Sequence, residues 1–344
     1  MYFAHLKTFR TLIFFVFVIS FMPINAQKLS PLKFNEDGKF KIVQFTDVHL
    51  KVENPQRCDS VINTMRTIIS NEKPDLVVLT GDVCTSEKVK ESWAAVTKPM
   101  IENKTPWAAV FGNHDHEHGF TNKQIMDYLM TLPYNLSQYG PANISGSGNY
   151  ILEIKAAKSN KIKNLLYFFD SRDYTWDKED EELGDYGWIN FDQIQWYREK
   201  SKQYTKKNYN SPYPALAFFH IPLPEYSLIK GFKTTVGDRD EEVCSPKINS
   251  GMYNAMLESK DIMGTFCGHD HNNNYIGTLN DIALAYGCKT GKDSYGKNEK
   301  GGRVIVLYEG ERKFDTWVAT PSEPQKYFVT YPNSFKKEKK PKQK

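Results

Sequence analysis

Residues 262–271 read IMGTFCGHDH, in which a short apolar run is followed at once by a glycine, two histidines and an aspartate. A run this short that is rich in Ile and Phe favours a buried strand over a helix. Histidine and aspartate are side chains that bind metal ions and transfer protons. The stretch therefore predicts a strand that ends in a metal-binding or catalytic turn.

The same pattern occurs four more times along the chain. The other runs are FKIVQF (40–45) before TDVH, LVVL (76–79) before TGDV, WAAVF (107–111) before GNHD, and ALAFF (215–219) before HIP. Further strands are predicted at Tyr150–Ile154, Leu165–Phe169, Ile282–Tyr286, Val304–Tyr308 and Thr316–Ala319.

Apolar residues at helical spacing lie between several of these runs. They predict helices over Val61–Ile69 and Val89–Met100, and a third helix that starts near Asn190. The alternation of strands and helices indicates an α/β fold. Because ligands of open α/β sheets bind beyond the carboxyl ends of the strands, five such ends that carry Asp, His and Asn predict a common site.

The histidines support this interpretation. The chain has eight, and all except His5 lie at or just after the five strand ends, as His49, His114, His116, His118, His220, His269 and His271. The groups at these ends are Asp47-Val-His49, Gly81-Asp82, Gly112-Asn113-His114-Asp115, His220 and Gly268-His269-Asp270-His271. Oxygen and imidazole donors without cysteine suit ions such as Zn, Fe or Mn.

Composition and charge exclude several classes of protein. The 344 residues are 40% apolar and 25% charged, which excludes a mainly disordered, collagenous or coiled-coil chain. The net charge of +4 is concentrated at the ends, with +2 on residues 1–26 and +5 on residues 336–344, so that the body carries −3. The net charge of the body gives no support for a nucleic-acid-binding surface. Nucleic-acid binding by the basic tail stays an alternative.

The N-terminus is typical of a secretory signal peptide. Lys7 and Arg10 precede the ten-residue apolar run 12–21, and a small residue, Ala26, offers a cleavage site. We therefore expect a secreted or periplasmic chain without a stable membrane span, although an uncleaved anchor or a buried strand would fit the same run. The domain prediction is a signal peptide at 1–26, one catalytic domain at 27–335 and a disordered Lys-rich tail at 336–344. Five cysteines follow the leader, and an odd number leaves at least one thiol unpaired within the chain.

At the five strand ends the chain resembles the calcineurin-like metallophosphoesterase superfamily, whose pattern is D-x-H, GD, GNH[DE], H and GH-x-H. All five blocks are present in order. Further segments resemble the branch of plant "probable inactive purple acid phosphatases" and their fungal relatives. They are FFDSRDY (168–174), YGWINFDQIQWY (186–197), HIPLPEY (220–226), CSPKINSG (244–251) and GHDHNNNY (268–275).

The resemblance implies a β-sandwich of two mixed sheets flanked by helices, with a dinuclear metal site at one edge. Asp47, His49 and His271 resemble the ligands of one ion, and Asn113, His220 and His269 resemble those of the other. Asp82 resembles the carboxylate that, with a hydroxide, bridges both ions. His114 resembles the residue that contacts phosphate and protonates the leaving group, with Asp115 orienting it; Asn113 also resembles a substrate contact.

One position departs from the family. True purple acid phosphatases place a tyrosine that ligates ferric iron shortly after the GD block, whereas this chain has Val83, Cys84 and Thr85 there. We therefore expect no purple chromophore, and the identity of the two metal ions stays open among Fe, Zn and Mn.

The function implied is hydrolysis of phosphomonoesters by the metal-bridging hydroxide. One alternative is a phosphodiesterase that acts on a nucleotide, a nucleic acid or a lipid headgroup with the same metal centre. The other is a protein without catalytic activity that binds an anionic ligand. The expected partner is a phosphorylated small molecule or macromolecule. His116 and Tyr186 are further candidate substrate contacts. For His116 the alternative is a position in a solvated loop without a role in binding.

Overall fold

The computed structural model describes residues 30–176 and 182–336. The predicted signal peptide at 1–26 and all but the first residue of the Lys-rich tail lie outside the described residues. The described part consists of twelve strands, six α-helices and one 3-10 turn. The strands are β1 (Lys39–Phe45), β2 (Leu76–Thr80), β3 (Trp107–Val110), β4 (Tyr150–Lys155), β5 (Ile162–Phe168), β6 (Ala215–Phe218), β7 (Ile262–Cys267), β8 (Ile276–Leu279), β9 (Ile282–Tyr286), β10 (Gly302–Tyr308), β11 (Phe314–Ala319) and β12 (Lys326–Tyr331).

The helices connect the strands on both outer faces. They are α1 (Pro55–Glu72), α2 (Val89–Glu102), α3 (Asn122–Leu129), α4 (Phe191–Lys207), α5 (Tyr226–Lys230) and α6 (Met252–Ser259), and the 3-10 turn is Asn333–Phe335. None of the helices in the described ranges has the length and apolar character of a membrane span.

The strands form two mixed six-stranded sheets. The first sheet has the order β12-β11-β10-β1-β2-β3, and the second has the order β4-β5-β6-β7-β9-β8. In the first sheet β1, β2 and β3 are parallel to one another. In the second sheet β5, β6, β7 and β9 are parallel. The two parallel sets bring the strand ends of interest to one edge of the molecule, as the sequence predicts.

Alternation of side chains along the strands produces the layers. In β1, Ile42 packs between the two sheets, where it shares a core with Phe218 of the second sheet. Its neighbour Val43 faces outward and packs with α1 and α2. The outer face of the second sheet packs on α4 and α6 in the same way. The predicted α/β sandwich flanked by helices is therefore confirmed.

Local sequence explains where the two long predicted helices begin. Asn54 caps α1 by accepting a hydrogen bond from the backbone N–H of Arg57, and Pro55 occupies the first helical position. At the start of α4 the Gln193 side chain accepts from the backbone N–H of Asn190 at 2.8 Å. The predicted start near Asn190 is confirmed.

Six of the described elements were not predicted from the sequence. They are the strands β8 and β12, the helices α3, α5 and α6, and the 3-10 turn, and each has eight residues or fewer. Short elements carry too few residues for a clear period, and packing on the rest of the fold decides their conformation. The five cysteines, all within the described residues, are free thiols.

Candidate metal centre

Seven predicted ligand side chains converge at the shared edge of the two sheets. The first sheet supplies them after β1, β2 and β3, and the second sheet supplies them after β6 and β7. Six of the seven fall into two groups whose ligand atoms lie within 4.8 Å of one another. We name these the Asp47 cluster (Asp47, His49 and His271) and the Asp82 cluster (Asp82, His220 and His269).

The Asp47 cluster joins the two sheets. The Nε2 atoms of His49 and His271 lie 3.1 Å apart, and His271 Nε2 lies 3.4 Å from Asp47 Oδ1. All three side chains are buried. Because two imidazole nitrogens and a carboxylate oxygen point at one another, the arrangement suits a cation placed between them.

Asp82 lies between the two clusters. Its Oδ2 atom is 3.1 Å from His220 Nε2 in its own cluster and 3.6 Å from His49 Nε2 in the other. The approach to His220 lacks the geometry of a hydrogen bond, since Nε2 has no hydrogen-bond partner. One carboxylate oxygen therefore faces histidines of both clusters, which is where the resemblance places the bridging ligand.

Asn113 turns its side-chain oxygen into the same region. Its Nδ2 atom donates to the Tyr174 hydroxyl at 3.0 Å, which leaves Oδ1 buried and without a partner. The Nε2 atoms of His220 and His269 are also buried without a hydrogen-bond partner. Buried polar atoms are rarely left unpaired in folded proteins. These three atoms are the donor types that a transition-metal ion accepts, and the residues present therefore fit a pair of metal ions.

Backbone carbonyls orient two of the histidine rings. His220 Nδ1 lies 2.8 Å from Thr80 O, and His271 Nδ1 lies 3.1 Å from Tyr295 O. Because a carbonyl oxygen only accepts, each Nδ1 carries a proton, and each Nε2 faces the centre. Hydrogen bonds of this kind fix the ring orientation of metal-binding histidines.

The backbone at the centre adopts costly conformations. Four of the candidate ligands, Asp47, His49, Asp82 and His269, have φ angles between 45° and 80°. Residues other than glycine rarely adopt this left-handed region, and such strain concentrates at functional sites. Close packing adds a further constraint, since a Cβ atom at Gly268 would lie 1.9 Å from Thr46 Oγ1.

Burial and charge act in opposite directions on the ionisable groups. Burial tends to raise the pKa of Asp47, but the hydrogen bond and charge of His271 hold it well below its usual value. Burial lowers the pKa of His49 to about 4 and that of His269 to about 3. These two rings are therefore neutral at physiological pH, as metal ligation requires. Burial also opposes protonation of His220, but the charge of Asp82 raises the pKa of His220 to about 10.

His114 lies beside both clusters without belonging to either. Its backbone N–H donates to Asp82 Oδ1 at 2.9 Å, and its ring centroid is 5.4 Å from that of His49. Its side chain is 35% exposed, whereas those of the clusters are nearly inaccessible. His114 is thus open to solvent beside the two buried clusters.

The expected role of Asp115 requires a correction. The carboxylate partner of His114 is Glu117, whose Oε2 atom lies 2.8 Å from His114 Nδ1. Asp115 is buried and accepts four backbone N–H groups instead. Oδ2 accepts from Asp82 and Gly112 at 2.9 and 2.8 Å, and Oδ1 accepts from Val83 and Cys84 at 2.8 and 3.1 Å. Asp115 therefore fixes the turn that carries Asp82 and does not orient His114.

The remaining predicted residues lie around the centre. The Tyr186 ring packs edge-on against His269 with centroids 4.5 Å apart. His116 lies outside both clusters, with Nε2 at 3.5 Å from Asp173 Oδ2. Asp270 accepts from the Tyr286 hydroxyl at 2.5 Å and turns away from the two flanking histidines. Cys84, one of the three residues that follow Asp82 where the family has its ferric-iron tyrosine, is buried, and burial raises the pKa of its thiol to about 11.

Two contacts of the site were not predicted from the sequence, that of Glu117 with His114 and that of Tyr174 with Asn113. Glu117 lies three residues after His114 in a tight turn, and this short spacing is the local signal of their pairing. Tyr174 reaches Asn113 from 61 residues away in the chain, and its hydroxyl also donates to Glu117 at 3.3 Å. No local sequence signal marks such a contact.

Comparison with known proteins identifies the family. The sequence model described as calcineurin-like phosphoesterase matches residues 40–273. The chain belongs to this family. It is 34% identical to "Probable inactive purple acid phosphatase 29" of Arabidopsis thaliana, over 91% of this chain and 90% of the relative. It is 33% identical to "Phosphatase DCR2" of Saccharomyces cerevisiae, over 86% of this chain and 56% of the relative.

Solved structures support the fold. A dimetal phosphatase from Danio rerio superposes with a TM-score of 0.58 at 11% identity, covering 85% of this chain and 98% of that one. A purple acid phosphatase from yellow lupin seeds superposes with a TM-score of 0.51 at 14% identity, covering 86% of this chain and 54% of that one. At such identities the likeness shows the architecture of two mixed sheets flanked by helices.

The position of Asp82 predicts the effect of a single substitution on metal binding. We expect wild-type protein, stripped with chelator and reloaded with Mn²⁺ or Zn²⁺, to bind about two ions per chain. Asp82→Asn can keep the Oδ1 contact to His114 but loses the charge that faces both clusters. We expect it to lower the affinity more than about tenfold, as measured by titration against a competing chelator.

His118→Ala is the matched control for this titration, because His118 belongs to neither cluster. It should bind metal like the wild type. Wild-type stoichiometry and affinity in a folded Asp82→Asn protein would contradict the shared role of Asp82.

The contacts of Asp115 predict a loss of stability. In Asp115→Asn one carboxylate oxygen becomes an NH₂ group, which cannot accept the two amide protons that face it. We expect the free energy of unfolding in urea to fall by about 1–3 kcal/mol, because buried donors lose their partner. Asp127→Asn, an exposed change on α3, should cost clearly less than Asp115→Asn. Equal effects of the two substitutions would refute the assigned role of Asp115.

Proposed function

We propose that this chain is a metal-dependent phosphoesterase that hydrolyses phosphomonoesters, with His114 as the general acid. One observation carries the proposal. Asp82 faces histidines of both clusters through Oδ2, while its Oδ1 atom accepts the N–H of His114 at 2.9 Å. Asp82 therefore holds the candidate metal ligands and the candidate proton donor together. Among the described histidines that Asp82 contacts, His114 is the partly exposed one.

The Asp47 cluster would hold one metal ion, and the Asp82 cluster together with Asn113 would hold the other. Ions held there would supply Lewis acidity, which would polarise the phosphoryl oxygens and lower the pKa of a bound water. Which ions these are is left open by the donor set, since imidazole and carboxylate suit Fe, Zn and Mn alike.

The residues around His114 define the rest of the chemistry. Because Glu117 occupies Nδ1, the ring presents Nε2 to the substrate, and Nε2 is the atom that can protonate the departing oxygen. Asn113 is buried, and it shares a neighbour with His114, since the Tyr174 hydroxyl accepts from Asn113 Nδ2 and the Tyr174 ring lies 6.3 Å from the His114 ring. Both residues would contact the phosphate. Phosphoryl transfer depends on positioning and charge stabilisation, which this arrangement supplies without a covalent intermediate on the protein.

The relatives raise the alternative of a protein that binds anions without catalysis. Three plant relatives have the word "inactive" in their names. This chain keeps all seven ligand-type side chains and His114 at the shared edge. The filled positions favour catalysis, since a binding module has no use for a general acid.

His114→Ala tests the proposal. With phenyl phosphate, whose phenolate leaving group is basic enough to need a proton, as the substrate of the Mn²⁺- or Zn²⁺-loaded protein, we expect kcat to fall about 10²- to 10⁴-fold, the usual contribution of a general acid. Metal content should stay at the wild-type level, because His114 is not in either cluster. His118→Ala is the control and should keep the wild-type rate.

The outcomes separate the alternatives. Wild-type protein should cleave p-nitrophenyl phosphate faster than bis(p-nitrophenyl) phosphate; the reverse order would indicate a phosphodiesterase. Equal rates of the wild type and His114→Ala on phenyl phosphate would overturn the role of His114. If the metal-loaded wild type cleaves no ester faster than the metal-free protein does, the protein is not a phosphoesterase and the binding-module alternative holds.

We also propose that the mature chain acts outside the cytoplasm. The support is the leader pattern of residues 1–26, with two basic residues before a ten-residue apolar run. Expressed with its leader in a bacterial host, the protein should be recovered from the periplasm or medium with an N-terminus near Gln27. Recovery of a chain that begins at residue 1 or 2 from the cytoplasm would contradict this proposal.

A further inference from the structure

A cavity opens beside the metal centre, and it contains none of the candidate metal ligands. Its volume is about 410 Å³, and its walls include His116, Arg172, Asp173, Tyr174, Trp176 and Trp188. We call it the aromatic cavity. The volume lies in the range of pockets that hold a small organic molecule.

Tyr174 joins the aromatic cavity to the metal centre. Its hydroxyl accepts from Asn113 Nδ2 at 3.0 Å, and its ring centroid lies 6.3 Å from that of His114. The Tyr174 ring is held in place because it also stacks on Tyr186, with centroids 5.9 Å apart. A group bound in the cavity would therefore lie next to the ring that donates a proton to the leaving oxygen.

Two tryptophans form an apolar corner in the wall of the cavity. Trp176 and Trp188 meet edge to face, with centroids 5.4 Å apart and planes inclined at 67°. Trp176 is 79% exposed, which leaves a large apolar surface in water at the cavity. Indole rings bind planar aromatic groups by offset stacking and by edge-to-face contact, and a corner of two inclined rings offers both contacts to one ligand ring.

Polar groups are also present in the wall. The Asp173 carboxylate lies 3.5 Å from His116 Nε2, and the neighbouring Arg172 adds a guanidinium group. Such groups can bond the edge of a ring that carries nitrogen and oxygen atoms while the tryptophans contact its face. An unbranched alkyl group would use neither the flat surface nor these polar atoms.

We propose that the aromatic cavity binds the leaving group of the substrate, and that this group is a planar aromatic one such as a nucleoside. The inference rests on the proposed phosphoesterase activity. The phosphate lies at the metal centre between Asn113 and His114, and the alcohol extends past Tyr174 towards Trp176 and Trp188. A mononucleotide is thus a better substrate than a phosphate ester of a small aliphatic alcohol.

Steady-state kinetics with two matched substrates test the inference. For adenosine 5′-monophosphate, we expect Trp176→Ala and Trp188→Ala each to lower kcat/KM about tenfold, mainly through a higher KM, because they remove a stacking surface. For glycerol 3-phosphate we expect less than about a twofold change. Trp176→Phe, which keeps an aromatic face, should recover most of the loss.

Phe191→Ala is the control variant. Phe191 is 76% exposed at the start of α4 and does not line the aromatic cavity. It should leave kcat/KM for both substrates unchanged. If Trp176→Ala lowers kcat/KM equally for both substrates, the inference is overturned. It is also overturned if Trp176→Ala lowers kcat/KM for glucose 6-phosphate more than for the nucleotide, which would indicate a sugar-binding cavity.

Binding of adenosine, which has no phosphate to hydrolyse, separates this inference from the proposed activity. We expect adenosine to quench the tryptophan fluorescence of the metal-loaded protein and Trp188→Ala to weaken its binding, as measured by equilibrium dialysis. Adenosine binding without hydrolysis of any ester would reject the activity and keep the aromatic cavity. Hydrolysis of esters without adenosine binding would keep the activity and overturn the inference.

Discussion

The carboxylate of Asp115 is the contact on which the centre depends. Each of its oxygens accepts two backbone N–H groups, and the four donors lie in the turns that follow β2 and β3. Those turns carry Asp82 and Asn113, one ligand-type side chain from each strand end. Because charge-assisted hydrogen bonds are strong and directional, a single buried side chain fixes the relative position of two loops. Asp82 is placed between the clusters as a result.

A second set of contacts fixes the two sheets to each other beneath the ligands. The Thr80 carbonyl accepts from His220 Nδ1 at 2.8 Å and from Thr46 Oγ1 at 3.0 Å, so that the end of β2 holds residues beyond β6 and β1. Gln44 Nε2 donates to Thr80 Oγ1 and, across the sandwich, to the Cys267 carbonyl at the end of β7. The ligands converge because buried polar groups below them pair between sheets, where an unpaired group would be costly.

The sequence predicted the parts of this arrangement that depend on residue type and strand direction. Five apolar runs followed by His, Asp and Asn indicate parallel strands whose ends meet, and the described ligands lie there. The sequence wrongly suggested that Asp115 pairs with His114, because the two residues are neighbours in the chain. The left-handed conformation of Asp82, with φ of 51°, turns the backbone amides of that loop towards Asp115 instead. Tyr174 could not be predicted either, because its approach to Asn113 follows from the packing of distant segments.

The centre is assembled from features that lower the stability of the ion-free protein. Strained backbone at four ligand positions costs on the order of 1–3 kcal/mol for each residue, and three buried polar atoms around Asp82 have no partner. Such costs persist only where the surrounding structure imposes them. The core between the sheets, where Ile42 and Phe218 are fully buried, contains none of the ligands and can stabilise the fold independently. Metal ions that bind only the folded state would offset the remaining cost by mass action. Substitution of a ligand therefore acts on the chemistry first, whereas substitution of Asp115 acts on the chemistry and on the fold together.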